Sequence, residues 1–301
     1  MSLNPKLVCA TFLLSSLSAF SVLQANEAHA DSPAAGPGCD FASENGGYVQ
    51  ILLGQQHGFE PALPTFVITH GMGGTQPNDR FHQLAIVIQD TLPQCNVLLV
   101  DWSRDATKST SFPGIPSPWE VAKNIEPVAR QVSEELQTLS IDPTQTTFIG
   151  ESFGNCVNAR IAEHLGRRGR ILAFNPPNSA GGYKIPDLRT CADLTWSFQT
   201  FSVFDTQTPI AHMGFFLETH ANATDLQKHI AGVSWLADQV RFGNTKWLLM
   251  QHQMENARDN EFDAIAAISG ELINNQHPPR ERSPEFRANS RTSVTLVTTA
   301  L

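Results

Sequence analysis

Residues Gly150-Glu151-Ser152-Phe153-Gly154 constrain this chain more than any other stretch, because they join a β-branched run ending at Ile149 to an amphipathic helical run reaching Leu165. A G-x-S-x-G sequence between a strand and a helix is a nucleophile elbow. The flanking glycines allow so sharp a turn that the serine takes a strained backbone and projects its hydroxyl outward, within reach of a histidine. Ser152 is therefore the expected nucleophile.

Upstream, the apolar run Pro64 to Thr69 ends in His70-Gly71-Met72-Gly73-Gly74. A His-Gly turn after such a strand supplies the second half of an oxyanion hole. The amide of Met72, with that of Phe153 at the start of the helix, makes the expected pair of donors for a tetrahedral oxyanion. The same glycines do not read as a dinucleotide site, since Gly71-Met72-Gly73 lacks the third glycine at the required offset and no acidic residue closes a following strand at the expected distance.

With these motifs in order the chain resembles the pancreatic lipase family of secreted α/β-hydrolases. TFVITHG resembles that family's oxyanion strand, CNVLLVDWS (Cys95 to Ser103) its next strand, and FIGESFGNCVNARIAEHLGRRGRILAFNPP its elbow, helix and following strand. Ala106 to Leu139 fits its long intervening helix, and AHMGFF (Ala211 to Phe216) resembles a Gly-His-x-Asp-Phe-Phe segment beyond the core. The resemblance covers roughly Leu63 to Met254 and implies an α/β-hydrolase fold and serine-based cleavage of carboxylic esters, lipid acyl esters foremost, with no cofactor and no catalytic metal. Too little chain follows His252 for the lipid-binding β-sandwich that many members carry.

Elements read along the sequence agree with that fold class. Strands are expected near Phe66–Thr69, Val97–Asp101, Thr147–Gly150, Ile171–Phe174, Phe201–Phe204 and Trp247–Met250. Alternation of strands with helices implies a mostly parallel sheet covered on both faces. Ser117-Pro118-Trp119-Glu120 is a capping-box pattern opening a helix with Val121, Ile125, Val128, Val132, Leu136 and Leu139 on one face, and Glu134 and Glu135 on the solvated side. Leu226, Ile230, Val233, Leu236 and Val240 recur at helical spacing, as in a helix packed on the sheet or, alternatively, a lid over an acyl groove.

Residues 1–30 carry a lysine, an apolar stretch and Ala28-His29-Ala30, the pattern of a cleaved signal peptide, which leaves 31–301 as one hydrolase domain in a secreted or periplasmic location. The formal charge of −9 argues against nucleic acid as a partner. The expected partners are a lipid or small ester and, transiently, a lipid surface. No cysteine pair has metal-ligand spacing; Cys95 and Cys156 read as buried thiols, and Cys39 with Cys191 as the pair free to bridge.

A serine nucleophile needs a base. His70 belongs to the oxyanion turn, where its side chain braces the loop. Of His220, His229, His252 and His277, the expected base is His252, which follows the apolar run Lys246 to Gln251 as the loop after a last core strand would; His220 is the alternative. Where the family carries its acid, Phe174-Asn175-Pro176 has an amide. Asn175 can orient a histidine but cannot compensate an imidazolium. Asp205, one expected strand further on, is therefore the expected acid, with Asn175 as the alternative orienting group. Were neither to complete the triad, the chain would be a catalytically impaired scaffold that binds lipid or protein.

Overall fold

The computed structural model describes residues 41–43, 47–52, 58–73, 80–107, 117–177, 183–200, 202, 204–205, 210–217, 219, 222–243, 248 and 294–295. Its strands are β1 (Phe41–Ser43), β2 (Val49–Leu52), β3 (Thr65–Thr69), β4 (Asn96–Val100), β5 (Thr146–Glu151), β6 (Arg170–Phe174), β7 (Leu194–Gln199), β8 (Met213–Leu217) and β9 (Val294–Thr295). They form one sheet in the order β1-β2-β4-β3-β5-β6-β7-β8-β9. Strands β4 to β8 with β3 run parallel, while β1, β2 and β9 pair antiparallel at the edges. The central strands TFVIT, NVLLV, TTFIGE and RILAF are buried along their whole length. Continuous apolar, β-branched runs of this kind suit strands covered on both faces.

The covering helices are α1 (Arg80–Thr91), α2 (Ser103–Ala106), α3 (Pro118–Thr138), α4 (Phe153–His164) and α5 (Asp225–Arg241). Because side chains alternate across a strand, each strand feeds both layers. Val67, Phe148 and Ile171 join α3 and α4 in one core, and Phe66, Ile68, Ile149, Leu172 and Phe174 join α1 and α5 in the other. The expected face of α3 is buried from Val121 to Leu136. Its Ser117 occupies the N-cap position, but the side chain makes no capping hydrogen bond; Pro118 at the first helical position sets the start instead. Glu135 departs from the solvated reading. Its carboxylate accepts from the amides of Tyr48 at 3.1 Å and Val49 at 2.8 Å, tying α3 to the start of β2.

An aromatic ladder fixes the half of the sheet that matters for the site. Phe174, Phe198 and Phe215 are register partners on β6, β7 and β8, and their rings stack with centroids 4.8 Å apart at both steps. Each such pair contributes about 0.5–1.5 kcal/mol beyond area burial and pins the register of its strands. This corrects the seventh strand. It ends at Gln199, so Phe204 lies in a turn and Asp205 beyond it. β8, read from sequence only as a resembling segment, is a full member of the sheet; Leu248 is the one described residue of the expected strand at Trp247–Met250.

Helix α5 is a packed helix. Leu226, Val233, Trp235, Leu236 and Val240 are buried, and Gly232 lies so close to β6 that a Cβ there would stand 2.8 Å from the ring of Phe174. Thr224 and Gln227 cap it reciprocally, each side chain bonded to the other's backbone amide.

Cys95, Cys156 and Cys191 are buried free thiols, so Cys191 does not form the expected bridge; Cys39 lies outside the described residues. Burial pushes the thiols of Cys95 and Cys156 up to about 12, and burial with the neighbouring Glu163 carboxylate pushes Cys191 up to about 11. A raised thiol stays protonated until the pH approaches that value, and the neutral thiol is a poor nucleophile. At pH 8 the native protein should therefore leave these three cysteines unlabelled by a disulfide reagent that modifies all three in guanidinium. Mass mapping of labelled peptides checks this, and rapid native labelling of any of them would contradict it.

Candidate active site

The turn from β5 into α4 is built around Ser152, which has φ 52° and ψ −125°. A non-glycine residue held there costs about 1–3 kcal/mol and persists only when its surroundings over-determine it. They do so here. The Ser152 amide donates to the carbonyl of Phe174 on β6 at 3.1 Å, and the Asn155 side chain donates to the same oxygen at 2.8 Å. The glycines on either side are required by space. A Cβ on Gly150 would lie 2.8 Å from Asn155 Oδ1 and 2.9 Å from Asn158 Nδ2, and one on Gly154 would run into the carbonyl oxygens of Thr69 and His70.

The end of β3 is thus pressed against the first turn of α4. A Cβ on Gly71 would stand 3.0 Å from that of Ser152, so the turn carrying Met72 lies against the serine. Phe153 opens α4, where the first amides of a helix have no intrahelical acceptor. His70 braces this turn, as expected. Its Nδ1 and the Gly71 carbonyl are 2.8 Å apart, its Nε2 accepts from the Trp102 amide at 3.2 Å, and the Trp102 indole donates to the His70 carbonyl at 2.8 Å. From the other side Arg80, first residue of α1, grips Glu151 with two bonds of 2.9 and 2.7 Å. A bidentate charged pair of this kind is both strong and directional, and it holds the residue immediately before the serine.

The strand order, with a strained serine after the fifth strand and parallel neighbours on both sides, settles the architecture. The fold is that of the α/β-hydrolases. No family model matches the sequence, and no curated relative does. Among solved structures the chain is similar to a sugar hydrolase from Lactococcus lactis, at 13% identity over 69% of this chain and 99% of that one, with a TM-score of 0.37. It is also similar to a putative hydrolase of the α/β superfamily from Xanthomonas campestris (12% identity, 59% and 96% covered, TM-score 0.42). A dienelactone hydrolase from Anabaena variabilis stands at 12% identity, 68% and 94% covered, and a TM-score of 0.39. Strand order and elbow, rather than these distant likenesses, identify the α/β-hydrolase fold; the finer likeness to pancreatic lipases stays at the level of sequence motifs.

In an open parallel sheet, sites form at the carboxyl ends of the strands. Ser152 follows β5, Asn175 follows β6, and Asp205 lies past the end of β7, bridged to Pro177. The histidine brought to Asp205 is His229, on the second turn of α5. Its Nδ1 lies 2.6 Å from Asp205 Oδ1, with the two side chains 7% and 1% exposed. The other carboxylate oxygen accepts from the Ser202 amide at 3.1 Å, with longer contacts of 3.4 Å from the amide and hydroxyl of Thr200. The buried carboxylate is thus satisfied on both oxygens, as burial demands. The Phe204 ring stands edge-on to the imidazole at 5.7 Å.

Asn175 does not meet the imidazole. It is fully buried with φ 45°, and its Nδ2 donates to the backbone carbonyl of His229 at 2.5 Å. His252 and His220 both lie outside the described residues. Sequence reasoning passed over His229 because β8 was not recognised as the last parallel strand and because the residue falls inside an apolar helical pattern. Counting AHMGFF as that strand would have left His220 and His229 as the next histidines along the chain.

Proposed function

We propose that this chain is a serine hydrolase that cleaves carboxylic esters through an acyl-enzyme, with Ser152 as nucleophile, His229 as base and Asp205 as acid. The observation that carries the reading is the buried 2.6 Å contact between His229 Nδ1 and Asp205 Oδ1, with Asp205 beyond the carboxyl ends of the parallel strands, the side on which the elbow lies. With Nδ1–H donated to the carboxylate, the imidazole is held in the tautomer whose Nε2 is unprotonated, which is the form a general base needs.

In this reading Ser152 Oγ attacks the ester carbonyl as its proton passes to Nε2, and the amides of Met72 and Phe153 hold the resulting oxyanion. Asp205 stabilises the imidazolium. Collapse of the intermediate expels the alcohol, which takes the proton from Nε2, and leaves Ser152 acylated. Water repeats the sequence, His229 accepting its proton and returning it to Ser152 as the acid departs. No step requires a metal or redox cofactor. The resemblance to lipases favours lipid acyl or small esters as substrates, with residues 1–30 removed on export. The test is to recover exported protein, confirm that it starts at Asp31, and assay p-nitrophenyl esters from acetyl to palmitoyl. Turnover of none of them would sink the hydrolase reading, and a start at Met1 would sink the export reading.

A further inference from the structure

We propose that Asn175 and Thr200 act together as positioning residues, gripping the backbone of α5 so that the His229 ring is held on Asp205; this rests on the assignment of His229 and Asp205 above. Asn175 stands after β6 and Thr200 directly after β7, on strands whose register the Phe174–Phe198 stack fixes. Both reach the same turn of α5. Asn175 Nδ2 donates to the His229 carbonyl at 2.5 Å, with Lys228 O at 3.4 Å, and the Thr200 hydroxyl donates to the Lys228 carbonyl at 2.7 Å. The hydroxyl has one proton, so Asn175 Oδ1 at 3.1 Å and Asp205 Oδ2 at 3.4 Å share it only weakly.

The contacts close a ring. Strand ends hold two consecutive carbonyls of α5, the helix carries His229, the imidazole reaches Asp205, and Asp205 is held in turn by the amides of Thr200 and Ser202. Carbonyls of a helix interior accept intrahelical bonds along the axis and keep a second lone pair. That lone pair is what the two side chains take. The close approach at Gly232 brings the helix within their reach.

This accounts for an amide at position 175. The group facing two carbonyl oxygens must be a donor. A carboxylate would set acceptor against acceptor at 2.5 Å from the His229 carbonyl and add a second negative charge beside the acid already at Asp205. Asn also tolerates the left-handed backbone that the position imposes. Since Asp does so nearly as well, Asn175→Asp alters the electrostatics of the clamp with little change of shape.

The closing experiment uses the full chain and two readouts: the far-downfield proton resonance of the His229 Nδ1–H bonded to Asp205, and the rate of fluorophosphonate labelling. Asn175→Asp and Thr200→Val should each lose or broaden that resonance and slow labelling about 10- to 100-fold, the scale on which a displaced catalytic group is felt. Thr200→Ser, which keeps the hydroxyl, should restore both. Faster labelling in Asn175→Asp, or lowered thermal stability with resonance and labelling rate unchanged in both variants, would overturn the clamp. If Asn175→Asp does not fold, the contrast between Thr200→Val and Thr200→Ser decides. A wild type that shows the resonance but is never labelled would refute the hydrolase reading while the resonance in the variants still judges the clamp.

Discussion

Ser152→Ala is expected to abolish fluorophosphonate labelling and to lower ester turnover by about 10^6-fold, the scale on which serine hydrolases lose activity when the nucleophile is removed, while the melting temperature moves by only a few degrees. The two halves of that expectation have separate causes. In the proposed mechanism the hydroxyl is the reacting group, and an alanine methyl cannot replace it. Its structural role is small, because the side chain makes no capping hydrogen bond to α4. The turn is held instead by the Ser152 amide on Phe174 O and by close contacts at Gly150 and Gly154, all of which alanine keeps. Labelling of the alanine variant at the wild-type rate would show that another residue reacts. A large fall in melting temperature would show that the hydroxyl carries structure.

Asp205→Asn should cost turnover by about ten-thousandfold, because the developing imidazolium on His229 then lacks a compensating charge in a buried site. The asparagine is preferable to alanine as a test. Alanine would strip the acceptor from the Ser202 amide, 3.1 Å from Asp205 Oδ2, and an unsatisfied buried donor costs about 1–3 kcal/mol, so part of any loss would be unfolding. His229→Ala should cost about as much as Ser152→Ala, and combining it with Asp205→Asn should lose little more than His229→Ala alone, since groups that act as a unit are strongly non-additive. Kinetics at a fixed pH on folded protein measure this. Should the loss follow His252→Ala and spare His229→Ala, the buried pair would be structural and the base would lie elsewhere.

What the sequence revealed depended on the range of the interaction that fixed each element. The elbow, the turn after β3 and the buried face of α3 are written in residues within a few positions of one another, through glycine placement and helical spacing, and all were legible. The seventh strand was not. LTWSFQ and the residues after it are similarly apolar, and only the stacking of Phe198 between Phe174 and Phe215 selects Leu194–Gln199. That misplacement propagated. With β8 unrecognised, the last strand seemed to be the run before His252, and the histidine that meets Asp205 was hidden in a helix whose apolar periodicity explained its surroundings without it. Asp205 was legible only as a carboxylate at the end of the misplaced strand Phe201–Phe204. The contact of Asn175 with α5 was not, because its partner there is a backbone carbonyl, which leaves no trace in residue identity.

The backbone at Ser152 has a consequence for timing as well as for shape. A left-handed φ on a serine, held between Phe174 O, the carbonyls behind Gly154 and the Arg80–Glu151 pair, is a cost incurred once, as the chain folds. It is not incurred again when substrate arrives. A hydroxyl on a relaxed loop would have to find its orientation in each catalytic cycle, with the search appearing in the barrier. Here the search is completed at folding, so the global stability of the sheet and its two helical layers is the reservoir from which the orientation of the proposed nucleophile is drawn.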